Sequence, residues 1–299
     1  MKPNIVVVGS ANTDMVVRVT HLPQTGETVL GGRFVMAQGG KGANQAVAAA
    51  RLGLDTFGDQ ALSAYQAEGI DTRYLKRDSA AASGVALILV DEAGENVIAV
   101  APGANGELSL GDVRAAEDAF RRADCLLLQL EIPLATVQEA AALAHHYQVP
   151  VVLNPAPAAQ LPDELLKRVS VLTPNENEAA LLAGASVDVR GGLAEAARAL
   201  YAGLSARGVK TMIVTLGEAG ALLLNGPEKS QLIPGFKVQA VDTVACGDAF
   251  SAAIAVALAR RMLLPEAVRY ANAAGALTAT KPGAQPSLPT AREVEQFLK

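Results

Sequence analysis

From about Glu107 onward the chain alternates helical stretches with short apolar runs, and that rhythm leaves few folds open. Helix 109–122 precedes strand Cys125 to Leu130, and helix 134–147 precedes strand Val149 to Leu153. Strand Val169 to Leu172 precedes helix 176–183, and helix 191–206 leads to strand Thr211 to Thr215. These strand runs are apolar throughout rather than alternating, so both of their faces must be buried. That is the signature of a parallel sheet covered by helices on both sides. With Ile5 to Val8 as a further buried strand, the expected fold is α/β, a three-layer α/β/α arrangement around a central, mostly parallel sheet. A chain of 299 residues can bury a core of that size as one domain spanning 1–299.

Four other segments do not suit the central sheet. Met15 to Val19, Glu27 to Met36, Gly84 to Val90 and Asn96 to Val100 are short and partly alternating, and Asp91 to Glu95 joins the last two as a hairpin. They are expected to form a small separate sheet, a lid inserted at about 14–20, 27–37 and 84–100. A small sheet with one apolar face needs a partner surface, so a homodimer through the lid is expected.

Composition excludes several classes. A net charge of −5 with no basic cluster argues against nucleic acid as a partner. No apolar run reaches the roughly 18 residues that a membrane span requires. The N-terminus enters a strand directly, as expected of a cytoplasmic protein rather than one led by a signal peptide. Cys125 and Cys246 lie far apart, and His21, His145 and His146 form no ligand pattern, so no zinc-type site is expected.

The most informative stretch is Val241-Asp242-Thr243-Val244-Ala245-Cys246-Gly247-Asp248-Ala249-Phe250. An extended apolar run, Phe236 to Val241, enters it, and an alanine-rich helix leaves it through about Arg261. Ala245, Cys246 and Gly247 let backbone N–H groups approach a ligand at a helix start, where free donors and the dipole favour an anion. From the residues alone, Asp248 is either a base beside that anion site or a helix cap. A second small-residue turn, Gly39-Gly40-Lys41-Gly42-Ala43-Asn44-Gln45, opens a helix to about Leu52, but its spacing is not that of a P-loop. Ligands bind at the carboxyl ends of strands in such sheets. Gly9 to Asp14, Glu131, Asn154, Asn175 to Glu178 and Thr215 to Gly220 fall there. Asn175 and Glu178 either cap their helix or hold water around Mg²⁺. The loop Lys281 to Ser287 either offers carbonyl oxygens to a cation or merely connects two helices.

Taken in order, Gly39 to Ala46, Leu153-Asn154-Pro155-Ala156-Pro157, Thr173-Pro174-Asn175-Glu176, Thr215-Leu216-Gly217, Asp242 to Phe250 and Gly283 to Ser287 resemble the PfkB-type carbohydrate kinase family across nearly the whole chain. The resemblance implies ATP-dependent phosphorylation of D-ribose at its 5-hydroxyl. Asp248 would be the base, and N–H groups of Ala245, Cys246, Gly247 and Asp248 would stabilise the transferring phosphoryl group. Asn12, Asp14, Gly39, Gly40, Lys41, Asn44 and Glu131 would hold the sugar. Asn175, Thr215, Leu216, Gly217, Glu218, Ala219, Gly220, Gly247 and Asn272 would line the nucleotide. Glu178 would act on Mg²⁺ through water, and Asp242, Val244, Thr278, Lys281, Gly283 and Ser287 would surround a monovalent cation such as K⁺. Lys281 and Asn272 stand where Arg and His are expected.

One departure is larger. The family pattern implies a strand after Gly53, yet Gly53-Leu54-Asp55-Thr56-Phe57-Gly58-Asp59 follows at once, about ten residues short. Either a segment is omitted from the sequence there or this variant is compromised, which leaves open a homologue with impaired catalysis; a kinase of the same family for another sugar or a nucleoside is a separate alternative. A nucleoside pocket would want more aromatic or apolar lid residues than this chain supplies.

Overall fold

The computed structural model describes residues 3–24, 27, 29–30, 32–52, 66–75, 80–92, 96–184, 193–226 and 229–299. In chain order the first half holds β1 (Ile5–Val8), β2 (Asn12–Arg18), β3 (Arg33–Gly39), α1 (Lys41–Leu52), β4 (Gly84–Val90) and β5 (Asn96–Ala101). Next come α2 (Leu110–Ala115), α3 (Glu117–Arg122), β6 (Cys125–Leu128), α4 (Leu134–His146), β7 (Val151–Leu153), α5 (Asp163–Leu166) and β8 (Val171–Leu172). The last third holds α6 (Glu176–Ala183), α7 (Leu193–Ala206), β9 (Met212–Thr215), β10 (Gly220–Leu224), β11 (Ser230–Pro234), α8 (Cys246–Ala259), α9 (Leu264–Ala279) and α10 (Ala291–Phe297).

The described strands form a large sheet of order β1-β6-β7-β8-β9-β10-β11 and a small one of order β3-β2-β4-β5. Neighbours from β1 to β9 run parallel, while β10 and β11 add antiparallel at one edge. Successive side chains along each strand face opposite ways, so each strand feeds two cores. Cys125, Leu127, Val152, Val171 and Ile213 pack with α1, α8, α9 and α10. Leu126, Leu128, Val151, Leu153, Leu172 and Met212 pack with α2 to α7. This is the three-layer arrangement expected from the unbroken apolar runs. Leu126, Leu127, Leu128 and Leu153 are wholly buried, and truncating one such leucine to alanine costs about 2–5 kcal/mol. Every residue of α8 from Asp248 to Ala257 is buried, which accounts for a helix apolar on all sides.

Several boundaries differ from the sequence reading. The strand expected from Val149 begins at Val151, because Val149 N–H donates to Ala144 O and Pro150 has no N–H. The strand expected to Leu130 ends at Leu128, and Leu130 N–H turns to Ala156 O. The helix expected over 109–122 is two helices, broken at Ala116 (φ −91°, ψ 11°). Phe236 to Val241 forms no strand; it follows Pro234, and Phe236 packs on Phe297 with ring centroids 5.1 Å apart. The lid strand expected from Glu27 begins at Arg33. The hairpin of β10 and β11 did not stand out in the sequence. Among the described residues β1 pairs only with β6. The shortened stretch Gly53 to Asp59 lies outside the described residues, and among those described no helix is long and apolar enough to cross a membrane.

Candidate active site

A cleft of about 370 Å³ opens over the carboxyl ends of the central strands. Lys41, Asn154, Asn175, Glu178, Thr215, Ala245, Gly247 and Asp248 reach its wall. The topology explains this convergence: each parallel strand delivers its next loop to the same edge of the sheet.

At the start of α8 the N-cap position is Ala245, a non-glycine residue in the left-handed region (φ 61°, ψ 6°), and no side chain caps the helix. That conformation costs about 1–2 kcal/mol, and such strain is found where a backbone must present its donors in one direction. Cys246 N–H points back to Thr243 O at 3.3 Å. The N–H groups of the first turn have no partner inside a helix, so those of Gly247 and Asp248 can serve an anion. Burial and the carboxylates of Asp242 and Asp248 push the Cys246 thiol up to about 12.

Asp248 does not cap the helix. Its Oδ2 accepts from Asn44 Nδ2 at 3.0 Å and its Oδ1 from Gln45 Nε2 at 3.0 Å. Burial raises its pKa, opposed by the charge of Lys41 and by the two amide bonds, while Glu131 adds to the rise. Lys41 is itself raised: burial would lower it, but Asp248, Glu131, Glu178 and Asp14 outweigh that.

On the lid side, the buried Asp14 carboxylate has no hydrogen-bond partner among the described residues. Burial, reinforced by Glu131 and Asp248, lifts its pKa to about 6. Glu131 Oε2 accepts from Ser10 Oγ at 2.5 Å and from Lys41 N–H at 2.9 Å. It thereby ties the loop after β1 to the start of α1, where a carboxylate suits the helix dipole. Gly40 holds φ 88° at that junction. Asn44 gives its N–H₂ to Asp248, and its buried Oδ1 is left without a partner. Buried orphan acceptors of this kind are rare.

On the opposite side, Asn175 and Glu178 form a capping box: Asn175 Oδ1 accepts from Glu178 N–H at 2.9 Å, and Glu178 Oε2 from Asn175 N–H at 2.8 Å. Glu178 also lines the cleft, and burial raises its pKa. Thr215 closes β9, and Leu216 leads into the exposed turn Gly217-Glu218-Ala219 before Gly220 opens β10. Asn272 is buried, with Nδ2 donating to Ile233 O and Pro234 O at 3.0 and 3.2 Å, so it pins β11 to α9. Its amide is not on the cleft wall.

Asp242 Oδ1 accepts from Val244 N–H and its Oδ2 from Gly283 N–H, each at 3.0 Å. This docks the 281–287 loop beside the start of α8. Ser287 Oγ donates to Ala284 O, Thr278 Oγ1 to Ala274 O, and Lys281 Nζ to Glu293. Both Asp242 oxygens thus accept backbone N–H groups, and Arg18 Nη2 stands 3.7 Å from Oδ2. No group of three or more His, Cys, Asp or Glu converges for a metal among the described residues.

Two residues escaped the sequence reading. Gln129 is wholly buried just past β6 and donates to Gln45 Oε1 at 2.6 Å. Asn105 clasps the loop after β1, accepting from Ala11 N–H and donating to Ala11 O and to Asn12 Oδ1. The signal for Gln129 was a lone amide at the end of an apolar strand. Asn105 lies in a short 3₁₀ turn that gave no periodic signal.

A buried carboxylate at an uncapped helix start, facing a polar cleft over a parallel sheet, defines a phosphotransferase acting on a small hydroxylated molecule. The pattern of the pfkB family carbohydrate kinases matches residues 2–291, and the chain belongs to that family. It is 42% identical to a ribokinase of Haemophilus influenzae, with 100% of this chain and 99% of the relative covered. The alignment runs over 309 positions against 299 residues here, so this chain carries gaps against that relative. A ribokinase structure from Thermotoga maritima superposes with a TM-score of 0.85 at 38% identity, covering 98% of each chain. An Arabidopsis thaliana ribokinase complexed with ribose and ATP superposes with a TM-score of 0.86 at 32% identity, covering 100% of this chain and 99% of that one.

Proposed function

We propose that the protein transfers the γ-phosphoryl group of ATP to the 5-hydroxyl of D-ribose, giving ribose 5-phosphate and ADP. The observation that carries this reading is the placement of Asp248: buried, held by two amides, and next to the free N–H groups of the α8 start. A carboxylate beside an anion site is unfavourable unless it receives a proton. Asp248 takes the proton of the attacking hydroxyl, while the N–H groups of Gly247 and Asp248 face the charge of the transferring group; Cys246 N–H is held by Thr243 O.

Ribose lies against the lid. Asp14, Glu131 and the orphan Asn44 Oδ1 accept from ring hydroxyls, Asn12 and Lys41 supply further polar contacts, and Gly39 and Gly40 keep the backbone close. Several buried polar partners reject analogues that lack a hydroxyl. ATP lies across Asn175, Thr215, Leu216, Gly217, Glu218, Ala219 and Gly220, with Gly247 at its phosphates and Asn272 setting the β11 edge near the base. Glu178 keeps one carboxylate oxygen free of its cap and fits water-mediated binding of Mg²⁺, whose chemistry is to neutralise phosphate charge. A monovalent cation such as K⁺ would be held by Asp242 with Val244, Thr278, Lys281, Gly283 and Ser287, as the family resemblance implies, and would have to displace Arg18 from Asp242. An ATP-consuming reaction fits the cytoplasm, and the lid face fits a second copy of the chain.

The test is ADP release measured with D-ribose, ATP, Mg²⁺ and K⁺, beside D-fructose and adenosine. Turnover with ribose at the highest kcat/KM is expected. Preference for the nucleoside, or no turnover with any acceptor, would overturn the reading.

A further inference from the structure

The carboxylate of Asp248 is the end of a chain of side-chain amides. Gln129 Nε2 donates to Gln45 Oε1 at 2.6 Å. Gln45 Nε2 donates both to Asp248 Oδ1 and to Asn154 Oδ1, each at 3.0 Å. Asn154 Nδ2 donates to Thr173 O at 3.2 Å. All four side chains are buried.

The direction of this chain is fixed by its ends. A backbone carbonyl and an ionised carboxylate can only accept. Thr173 O therefore requires the Asn154 N–H₂, which turns Asn154 Oδ1 toward Gln45. Asp248 and Asn154 then both require the Gln45 N–H₂, and Gln45 Oε1 must accept from Gln129. A flipped Gln45 would set its oxygen against two acceptors.

Gln129 bears a cost for its part. Its Oε1 is buried with no partner, and a buried amide oxygen left unpaired is destabilising. An apolar residue of the same shape would remove that cost but leave the buried Gln45 Oε1 without its donor, so what Gln129 secures is the orientation of Gln45. The chain also makes room for it: a Cβ on Gly9 would overlap Gln129 Oε1.

We propose that Gln45 and Gln129 are positioning residues, forming with Asn154 an amide relay that orients the Asp248 carboxylate as an acceptor and directs its remaining lone pairs into the cleft. The proposal deepens the reading of Asp248 as the base and rests on it. Burial raises the pKa of Asp248 and Glu131 adds to the rise, while the charge of Lys41 and the bonds from Asn44 and Gln45 lower it. Weakening the relay therefore leaves the base protonated to higher pH.

The test is a double-mutant cycle of Gln129→Met with Asp248→Asn. Methionine matches the shape of glutamine and removes the donor together with the orphan oxygen. For Gln129→Met we expect kcat about tenfold lower and the acid limb of its pH profile about one unit higher. Ribose KM should stay within about twofold, while the melting temperature should fall by a few degrees at most, because the orphan oxygen removed offsets the donor lost to Gln45 Oε1. In the Asp248→Asn background the same substitution should add no further loss. An unmoved kcat and pH limb, or an equal loss in both backgrounds, overturns the relay even where Asp248→Asn alone is crippled. Near-normal turnover of Asp248→Asn instead overturns the base itself. Should Gln129→Met fail to fold, Gln45→Met carries the same pH-limb and cycle predictions, and an unmoved limb there overturns the proposal.

Discussion

The Asp14 carboxylate occupies the space that a side chain on residue 39 would need: a Cβ on Gly39 would overlap it. The two residues are diagonal neighbours, since Asp14 pairs with Ala37 and Asn12 with Gly39 across β2 and β3. Glycine at 39 is therefore a requirement of the sugar site rather than of the turn. Gly39→Ala should displace the carboxylate and remove its hydrogen bonds to ribose. A bond to a charged acceptor contributes about 1.5–3 kcal/mol, so ribose affinity should fall about 10- to 100-fold. Calorimetric titration checks this, with ATP affinity unchanged as the control; unaltered ribose binding would mean that Asp14 does not contact the sugar.

Ribose binding should also depend on acidity. The Asp14 pKa is lifted to about 6 by burial and by the neighbouring Glu131 and Asp248. Above that value it is ionised and both oxygens can accept from hydroxyls; below it one oxygen carries a proton. Ribose KM should then rise as pH falls through about 6, by about tenfold per unit well below it. Asp14→Asn should bind weakly at every pH, with the slope gone. A wild-type KM flat between pH 5 and 7 would refute this.

Asp248→Asn keeps the shape of the base and removes its capacity to take a proton. Turnover should fall about 10²-fold or more. Ribose binding, which the proposed reading assigns to Asp14, Glu131 and Asn44, should remain within a few-fold of normal. Turnover by coupled assay and affinity by titration separate the two effects, and a joint loss of both would mean that the substitution has disturbed the site rather than the chemistry.

The fold was legible because its signals are local and repeated. Continuous apolar runs such as Cys125 to Leu128 state that both faces are buried, and small-residue turns at 39–42 and 245–247 state where backbone meets ligand. The capping question at Asp248 was not legible, because a carboxylate at N3 looks the same whether it turns to its own helix or to Asn44 and Gln45, 204 and 203 residues away. Gln129 was hidden likewise, since a single amide in an apolar run has meaning only once Gln45 stands opposite. The hairpin β10–β11 was obscured because Thr215 to Gly220 was read as a ligand loop, and its strands have no polar alternation to set them apart: β10 is buried throughout.

The lid carries an unpartnered apolar face. Register places Met36, Met15, Leu87 and Ala99 in one row across its four strands, and Phe34, Val17, Leu89 and Val97 in the next. Strand period puts both rows on the face opposite Asp14, so the side of β2 that carries Asp14 faces the proposed sugar site and these two rows point away. Phe34, Met36, Leu87 and Val97 are each more than half exposed. Contiguous apolar surface of this kind marks an interaction site. A second copy of the chain offers the same two rows by two-fold symmetry. Light scattering at micromolar concentration should therefore give twice the monomer mass. Leu87→Lys, at the centre of the first row, should give monomer and raise ribose KM, because the strand bearing Asp14 loses its support while the nucleotide side is untouched. A native chain that scatters only as monomer would overturn the dimer, and a monomeric Leu87→Lys with normal ribose KM would uncouple the lid contact from the sugar site.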